Sequence, residues 1–210
     1  TGLSDKTINP TGLYHYLSFG HLKSPETLIE NIQELKPGHY LIVDRDGNFK
    51  ETRYWHPLDA LNTSDNDGQA IQDILQESVK YRQVSDVPIG AFLSGGIDSS
   101  AIVSHMTGTS DNPITTLTIG FKEKEFDESE HSAEISGLFK TNHQLLTLDE
   151  EQLLESLPAA INAMDQPTMD GINTFLISRA ANEAGLKVVL SGLGGDELFG
   201  GYPSFRLVPK

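Results

Sequence analysis

Two short stretches concentrate the residue types that can do chemistry. The first is Ser94-Gly95-Gly96-Ile97-Asp98-Ser99. It follows the apolar run Ile89–Leu93 directly and precedes a helix-like run directly, which makes it a strand–loop–helix junction. Gly95 and Gly96 let the backbone pass close to a ligand with amides aimed at it. Ser94, Ser99 and the neighbouring Ser100 add hydroxyl donors, and the next helix presents its positive end. The combination suits a phosphate or pyrophosphate. Asp98 cannot hold an anion itself, so its place there makes sense with Mg²⁺ between carboxylate and phosphates. A Ser/Gly-rich turn with Asp as a helix cap is the plainer alternative. The Walker pattern is absent from the chain.

The second stretch is Leu190-Ser191-Gly192-Leu193-Gly194-Gly195-Asp196-Glu197-Leu198-Phe199-Gly200-Gly201-Tyr202. It too follows a β-run and joins glycine, hydroxyl and carboxylate. The alternative here is a turn followed by a capped short helix. In a parallel sheet both loops open on one edge, and Asp98 and Asp196 can then share a metal.

The elements that must position these loops are legible in outline. From Val87 onward strand-like and helix-like runs alternate. Strands are expected at Pro88–Leu93, Ile114–Ile119, His143–Leu148 and Leu186–Leu190. Helices are expected at Ser99–Met106, at Glu128–Phe139 behind an Asp127 cap, and at 150–163 and 172–184. The acidic run Asp149-Glu150-Glu151 reads as the first turn of one of them. The rhythm predicts an α/β fold, a parallel sheet with helices on both faces. Upstream, Ile71, Ile74, Leu75 and Val79 mark an amphipathic helix over Gln69–Tyr81. Residues 61–68 are polar and turn-rich, a linker. Residues 1–60 read as β-rich or irregular, with one clear hairpin: His39–Asp44, a turn through Asp46-Gly47, and Phe49–Trp55. One hairpin is too little to stand alone, so this segment is expected to end something larger. The organisation expected is thus 1–60, a linker at 61–68, and an α/β domain over 69–210.

Composition removes several classes of function. Of 210 residues, 37% are hydrophobic and 19 are glycine, enough to bury a core. Fifteen basic against 30 acidic residues give a net charge of −15, which disfavours nucleic acid and anionic lipid as partners. Without cysteine there is no disulfide, thiolate metal site or thiol nucleophile. The seven histidines (15, 21, 39, 56, 105, 131 and 143) show no metal-ligand spacing. No apolar stretch is long enough to span a bilayer and no leader pattern opens the chain, so the expected setting is soluble and cytoplasmic.

The Ser-Gly-Gly-x-Asp-Ser loop is similar to that of PP-loop ATP pyrophosphatases, whose fold is adenine nucleotide α-hydrolase-like. VPIGAFLSGGIDSS with LSGLGGDELFGGY resembles, more narrowly, the asparagine synthase (glutamine-hydrolysing) family. Ser24-Pro25-Glu26-Thr27, Leu35 to Tyr40 and Arg53-Tyr54-Trp55 resemble the end of that family's Ntn-type glutaminase domain. The resemblance implies a ligase that uses ATP and Mg²⁺ to adenylate a carboxylate, aspartate in the family. Ammonia from glutamine then displaces AMP, with pyrophosphate the other product. It implies Ser94, Gly95, Gly96, Asp98 and Ser99 around the pyrophosphate and Ser191 near the α-phosphate. Leu93, Ile119 and Gly192 would border adenine and ribose, and Asp98 and Asp196 would be the catalytic metal ligands. A homodimer is left open.

Three departures shape the expectation. The family's glutaminase nucleophile is an N-terminal cysteine, and Thr1 stands first here. The family's synthetase domain continues well past the position of Lys210, so the chain is expected to be a piece of a longer enzyme. Leu193 occupies the position of a family glutamate that handles protons during ammonia attack, which leucine cannot do. No Lys or Arg occurs from Thr141 to Ser178, leaving Arg179 or Arg206 to meet a second carboxylate on the acceptor. A different carboxylate acceptor, a lactam-forming relative and a non-catalytic nucleotide-binding module remain as alternatives.

Overall fold

The computed structural model describes residues 7–60, 68–121, 129–168 and 170–207. The chain folds as two compact units, 1–66 with 161–171, and 67–160 with 172–210. Of the expected linker at 61–68 only Gly68 is described, and the Asp127 cap, Thr1 and Lys210 lie outside the described residues.

In the first unit, residues 39–53 form the expected antiparallel hairpin, β1 (His39–Val43) against β2 (Phe49–Arg53). Asp44 closes it. Its carboxylate accepts from the amides of Asp46 and Asn48 at 2.9 Å each and from the Asn48 side chain. These bonds, led by the Asn48 side chain, hold the Asp44 carboxyl below its ordinary range. The unit also contains a helix where β-rich or irregular structure is expected, α1 (Pro10–Phe19). Asn9 caps it by accepting from the Thr11 amide, Pro10 opens it, and Gly20 closes it in the left-handed region. A methyl on Gly12 would come within 2.5 Å of the Thr27 carbonyl, so α1 is seated by a close backbone approach. Gly12 is the buried residue along it, and its apolar side chains stay largely exposed.

The second unit is the expected parallel α/β sheet. Its strands are β3 (Ile89–Phe92), β4 (Thr115–Phe121), β5 (Asn142–Leu148) and β6 (Val188–Leu190), in the order β5-β4-β3-β6. All three pairings are parallel. The helices are α2 (Gly68–Arg82), α3 (Ile97–Thr109), α4 (Ser129–Phe139), α5 (Glu150–Ala163), α6 (Gly171–Glu183), α7 (Gly195–Phe199) and α8 (Ser204–Leu207). The period-2 alternation of β3 builds two cores. Ala91 and Leu93 pack with Val79 of α2, Val103 and Met106 of α3, and Ile135 and Phe139 of α4. Phe92 joins Leu117, Ile177, Ala181 and Leu186 in the other cluster. Within α5's acidic start, Asp149 and Gln152 form a reciprocal capping box.

At the head of β5 a polar chain crosses two strands. Thr141 Oγ1 donates to Ser136 Oγ at 2.9 Å, so Thr116, 2.8 Å away, donates to Thr141. His143 Nδ1, 3.0 Å from Thr116 Oγ1, therefore carries the proton and donates. Burial holds the His143 imidazole below its ordinary value of 6.5. The unfolded chain then takes up this proton before the folded one as pH falls. The stability it contributes is complete above 6.5 and is lost as pH falls through 6.5 toward the lower folded value. Urea unfolding from neutral to mildly acidic pH is expected to show that decline, flattened in His143→Gln.

Candidate active site

Strands β3 and β6 are immediate neighbours, with Ile89 beside Val188 and Ala91 beside Leu190. The loops that follow them, 93–96 and 191–194, consequently leave the sheet side by side at one edge. Six elements separate these strands in sequence, so only the finished sheet brings the loops together.

The first loop is shaped by its own serines. Ser99 Oγ accepts from the Ser94 amide at 3.3 Å, lies 3.0 Å from Ser94 Oγ and donates to the Gly96 carbonyl. Ser94 Oγ accepts from the Gly96 amide. Helix α3 starts at Ile97 with Gly96 as N-cap and no side-chain cap, which leaves its first-turn amides for other acceptors. Gly95 has φ +83°, and a methyl there would meet His131 Cβ at 2.6 Å and the Ser132 amide nitrogen at 2.9 Å. The opening turn of α4 is therefore a wall of this loop.

The second loop lies on the first. A methyl on Gly192 would reach the Ser99 amide nitrogen at 2.8 Å and Asp98 Cβ at 3.1 Å. A methyl on Gly195 would overlap the Asp98 carboxylate itself. Glycine at both positions lets the loop wrap the Asp98 side chain. Between them, the Leu193 amide donates to Ser191 Oγ at 3.2 Å, and Gly194 takes a left-handed φ of +100°. Asp196 follows in the first turn of α7, with its carboxylate against Gly201. Tyr202 Oη donates to Glu197 at 2.9 Å and its ring stacks on Phe205, fastening α7 to α8.

The candidate residues thus fall in distinct places. Ser94, Gly95, Gly96, Asp98, Ser99, Gly192 and, beside it, Ser191 gather where the loops meet. Asp196 follows Gly195 in the chain, with its own carboxylate against Gly201. Leu93 is buried, its amide donating to Leu117 and its carbonyl accepting the Thr118 hydroxyl. Its backbone is thereby engaged within the sheet. Ile119 lies on β4 two residues beyond the Phe92–Leu117 pair, level with Ser94 and half-buried. Gly195 and His131 were not singled out by sequence. Gly195 is visible in the motif, whereas the position of His131 depends on how α4 packs.

Charge is supplied sparingly. From Ile89 to Met106 and from Val188 to Phe205 there is no Lys or Arg. Arg179 is occupied elsewhere. It donates to Ser156 Oγ at 3.2 Å, pairs with Glu183 at 3.9 Å and lies over the Phe175 ring. It fastens α6 to α5. An anion at the loops would meet amides and hydroxyls. Among the described residues no group of three or more His, Asp or Glu side chains is gathered for a metal. Mg²⁺ needs only one or two carboxylates when phosphates complete its shell; Asp98, wrapped by the second loop, offers one, and the Asp196 carboxylate lies against Gly201. No helix among the described residues is long and apolar enough to cross a membrane.

Fold and loops together define a parallel α/β protein with two glycine-rich loops interlocked at the carboxyl edge of its sheet. The asparagine synthase family profile matches residues 70–210, and the chain belongs to that family. It is 30% identical to asparagine synthetase (glutamine-hydrolysing) 1 of Bacillus subtilis, over 97% of this chain and 32% of that protein. It is 29% identical to asparagine synthetase (glutamine-hydrolysing) 3 of the same organism, over 95% of this chain and 35% of that protein. The chain spans about a third of the length of these curated relatives. Among solved structures it is similar to an NH3-dependent NAD synthetase from Campylobacter jejuni, at 16% identity and TM-score 0.45, covering 65% of this chain and 61% of that one.

Proposed function

We propose that this chain carries the nucleotide-binding part of an ATP-dependent ligase that converts a carboxylic acid to its amide. The observation that carries the reading is the wrapping of the second loop around Asp98. A turn with a helix cap needs no glycine pair fitted to the cap's carboxylate. Two loops that must converge on one ligand do. Family membership supplies the reaction type.

In this reading the uncapped amides of α3 and the hydroxyls of Ser94 and Ser99 hold the β- and γ-phosphates of ATP. Ser191 lies by the α-phosphate, and Ile119 and Gly192 border the nucleoside, with Leu93 buried behind them in the sheet. Asp98 and Asp196 are the residues to hold Mg²⁺, which would neutralise phosphate charge. The acceptor's carboxylate oxygen attacks the α-phosphorus, the bond to the pyrophosphate breaks, and an acyl adenylate results. Ammonia, drawn from glutamine in the manner of the family, adds to the acyl carbon. AMP leaves with one of the original carboxylate oxygens. What the protein contributes is positioning and charge stabilisation at a fixed site. A soluble cytoplasmic enzyme, with small molecules rather than nucleic acid or membrane as partners, is the natural setting. A homodimer is compatible with it.

The test is pyrophosphate release by the full-length protein from ATP and Mg²⁺, with a panel of carboxylic acids that includes aspartate. Release that depends on one acid and on Mg²⁺ supports the reading. Tight Mg²⁺–ATP binding without release under any acid would make it a nucleotide-binding module instead.

A further inference from the structure

We infer that His131 is a further phosphate-binding side chain of this site, its imidazole donating to the pyrophosphate portion of ATP beside Gly95. The inference rests on the nucleotide-binding part of the ligase reading and adds a residue to it.

The first observation is contact. Gly95 is the left-handed glycine of the first loop, and the opening of α4 lies directly against it. A methyl on Gly95 would come 2.6 Å from His131 Cβ and 2.9 Å from the Ser132 amide nitrogen. His131 is the third residue of α4, so the helix meets the loop with its first turn, its positive end. The root of an imidazole is thereby seated on the backbone of the loop that takes the phosphates.

The second observation is that this imidazole is uncommitted. It is exposed and, among the described residues, has no hydrogen-bond or ion-pair partner. Five of the other six histidines have ring partners, as His15 has Glu26 at 2.8 Å and His143 has Thr116 at 3.0 Å. The sixth, His105, lies toward the far end of α3 from the loop. Glu130 and Glu134, the acidic neighbours on α4, are themselves exposed to solvent.

The loop's own hydroxyls have a second duty. Ser99 Oγ donates to the Gly96 carbonyl, and Ser94 Oγ accepts from the Gly96 amide, so both also hold the loop in shape. An imidazole carries at least one N–H donor in either protonation state. From His131 that donor can serve a charged phosphate oxygen without loosening the loop.

The test measures binding of pyrophosphate, ATP and AMP, each with Mg²⁺, to the full-length protein by calorimetry. His131→Ala is expected to weaken pyrophosphate and ATP about tenfold, the scale of one hydrogen bond to a charged group. AMP, which lacks the pyrophosphate, is expected to change less than about twofold. His131→Gln keeps an N–H donor and is expected to stay within about threefold of wild type for every ligand. His105→Ala removes the other uncommitted imidazole and is expected to stay within about twofold. Wild-type affinity for pyrophosphate in His131→Ala, or an equal loss for AMP, overturns the inference, while acid-dependent pyrophosphate release keeps the ligase reading standing. Selective loss of pyrophosphate and ATP in His131→Ala, with no acid able to trigger release, upholds the contact while the ligase reading fails. No binding of pyrophosphate or ATP by the wild type overturns both.

Discussion

Asp98→Asn is expected to lower kcat/KM for pyrophosphate release by about a hundred- to a thousandfold, the usual scale for losing one preorganised stabilising group at a reacting centre. The same change is expected to leave the fold intact. Asparagine keeps the shape that Gly192 and Gly195 enclose. Asp98 also sits in the first turn of α3, where a negative charge is worth about 0.3–1 kcal/mol against the helix dipole. That is the whole loss if Asp98 is only a helix-end charge. The two roles therefore separate cleanly. Unfolding by urea moves by less than about 1 kcal/mol under either, while turnover collapses only if Asp98 serves the nucleotide. Asp196→Asn is expected to act in the same direction, and Mg²⁺ titration of ATP binding to reveal a weakened metal requirement in both. Undiminished turnover in Asp98→Asn would remove this residue from the site.

Gly95→Ala is expected to be the most destabilising single-methyl change in the loops. Its φ of +83° costs an L-residue about 1–2 kcal/mol. The added methyl would also lie 2.6 Å from His131 Cβ and 2.9 Å from the Ser132 amide nitrogen, backbone that cannot move aside singly. Overpacking of that kind costs about 1–3 kcal/mol. Together about 3 kcal/mol is expected, or a fall in Tm of about 6–12 °C for a chain of this size. Gly96→Ala is the control. Its φ of −68° suits any residue, and a methyl there meets only Ser94 Oγ at 3.4 Å. It is expected to cost under about 1 kcal/mol, the price of a poorer N-cap. Equal effects at the two positions would contradict the placement of α4 against the loop.

The sheet was legible because its signals are local and repeated. Short runs carrying Leu, Ile, Val and Thr alternate with helix-length runs, and that alternation alone predicts a parallel sheet and the edge at which its loops open. Helix α1 was missed for the opposite reason. Its apolar residues Leu13, Tyr14 and Leu17 do recur at helical spacing, but over ten residues they make a single partial repeat, and they stay exposed rather than joining a core. The usable signal was punctuation: Asn9 and Pro10 at one end, Gly20 at the other. β6 is shorter than the apolar run that marks it, because the Leu186 amide still donates to the Ala181 carbonyl at the close of α6.

The site was half legible in the same sense. Glycine, serine and aspartate after a strand advertise a loop that approaches a ligand, and both loops could be found that way. Which residue touches which could not. The contact between Gly195 and Asp98 crosses almost a hundred positions and exists only because β3 and β6 pair. Arg179 likewise reads in sequence as a spare cation, yet Ser156, 23 residues earlier, takes one of its donors. Long-range packing decides such matters, and no local pattern encodes it.

The most direct test of the central claim follows oxygen. The full-length protein is given ATP, Mg²⁺, ammonium and an acceptor acid labelled with ¹⁸O in its carboxylate, and the nucleotide and phosphate products are separated by mass. Attack of that carboxylate on the α-phosphorus predicts AMP carrying one ¹⁸O, with unlabelled pyrophosphate. Label in orthophosphate, with ADP as the nucleotide product, would mean attack at the γ-phosphorus and would contradict the account.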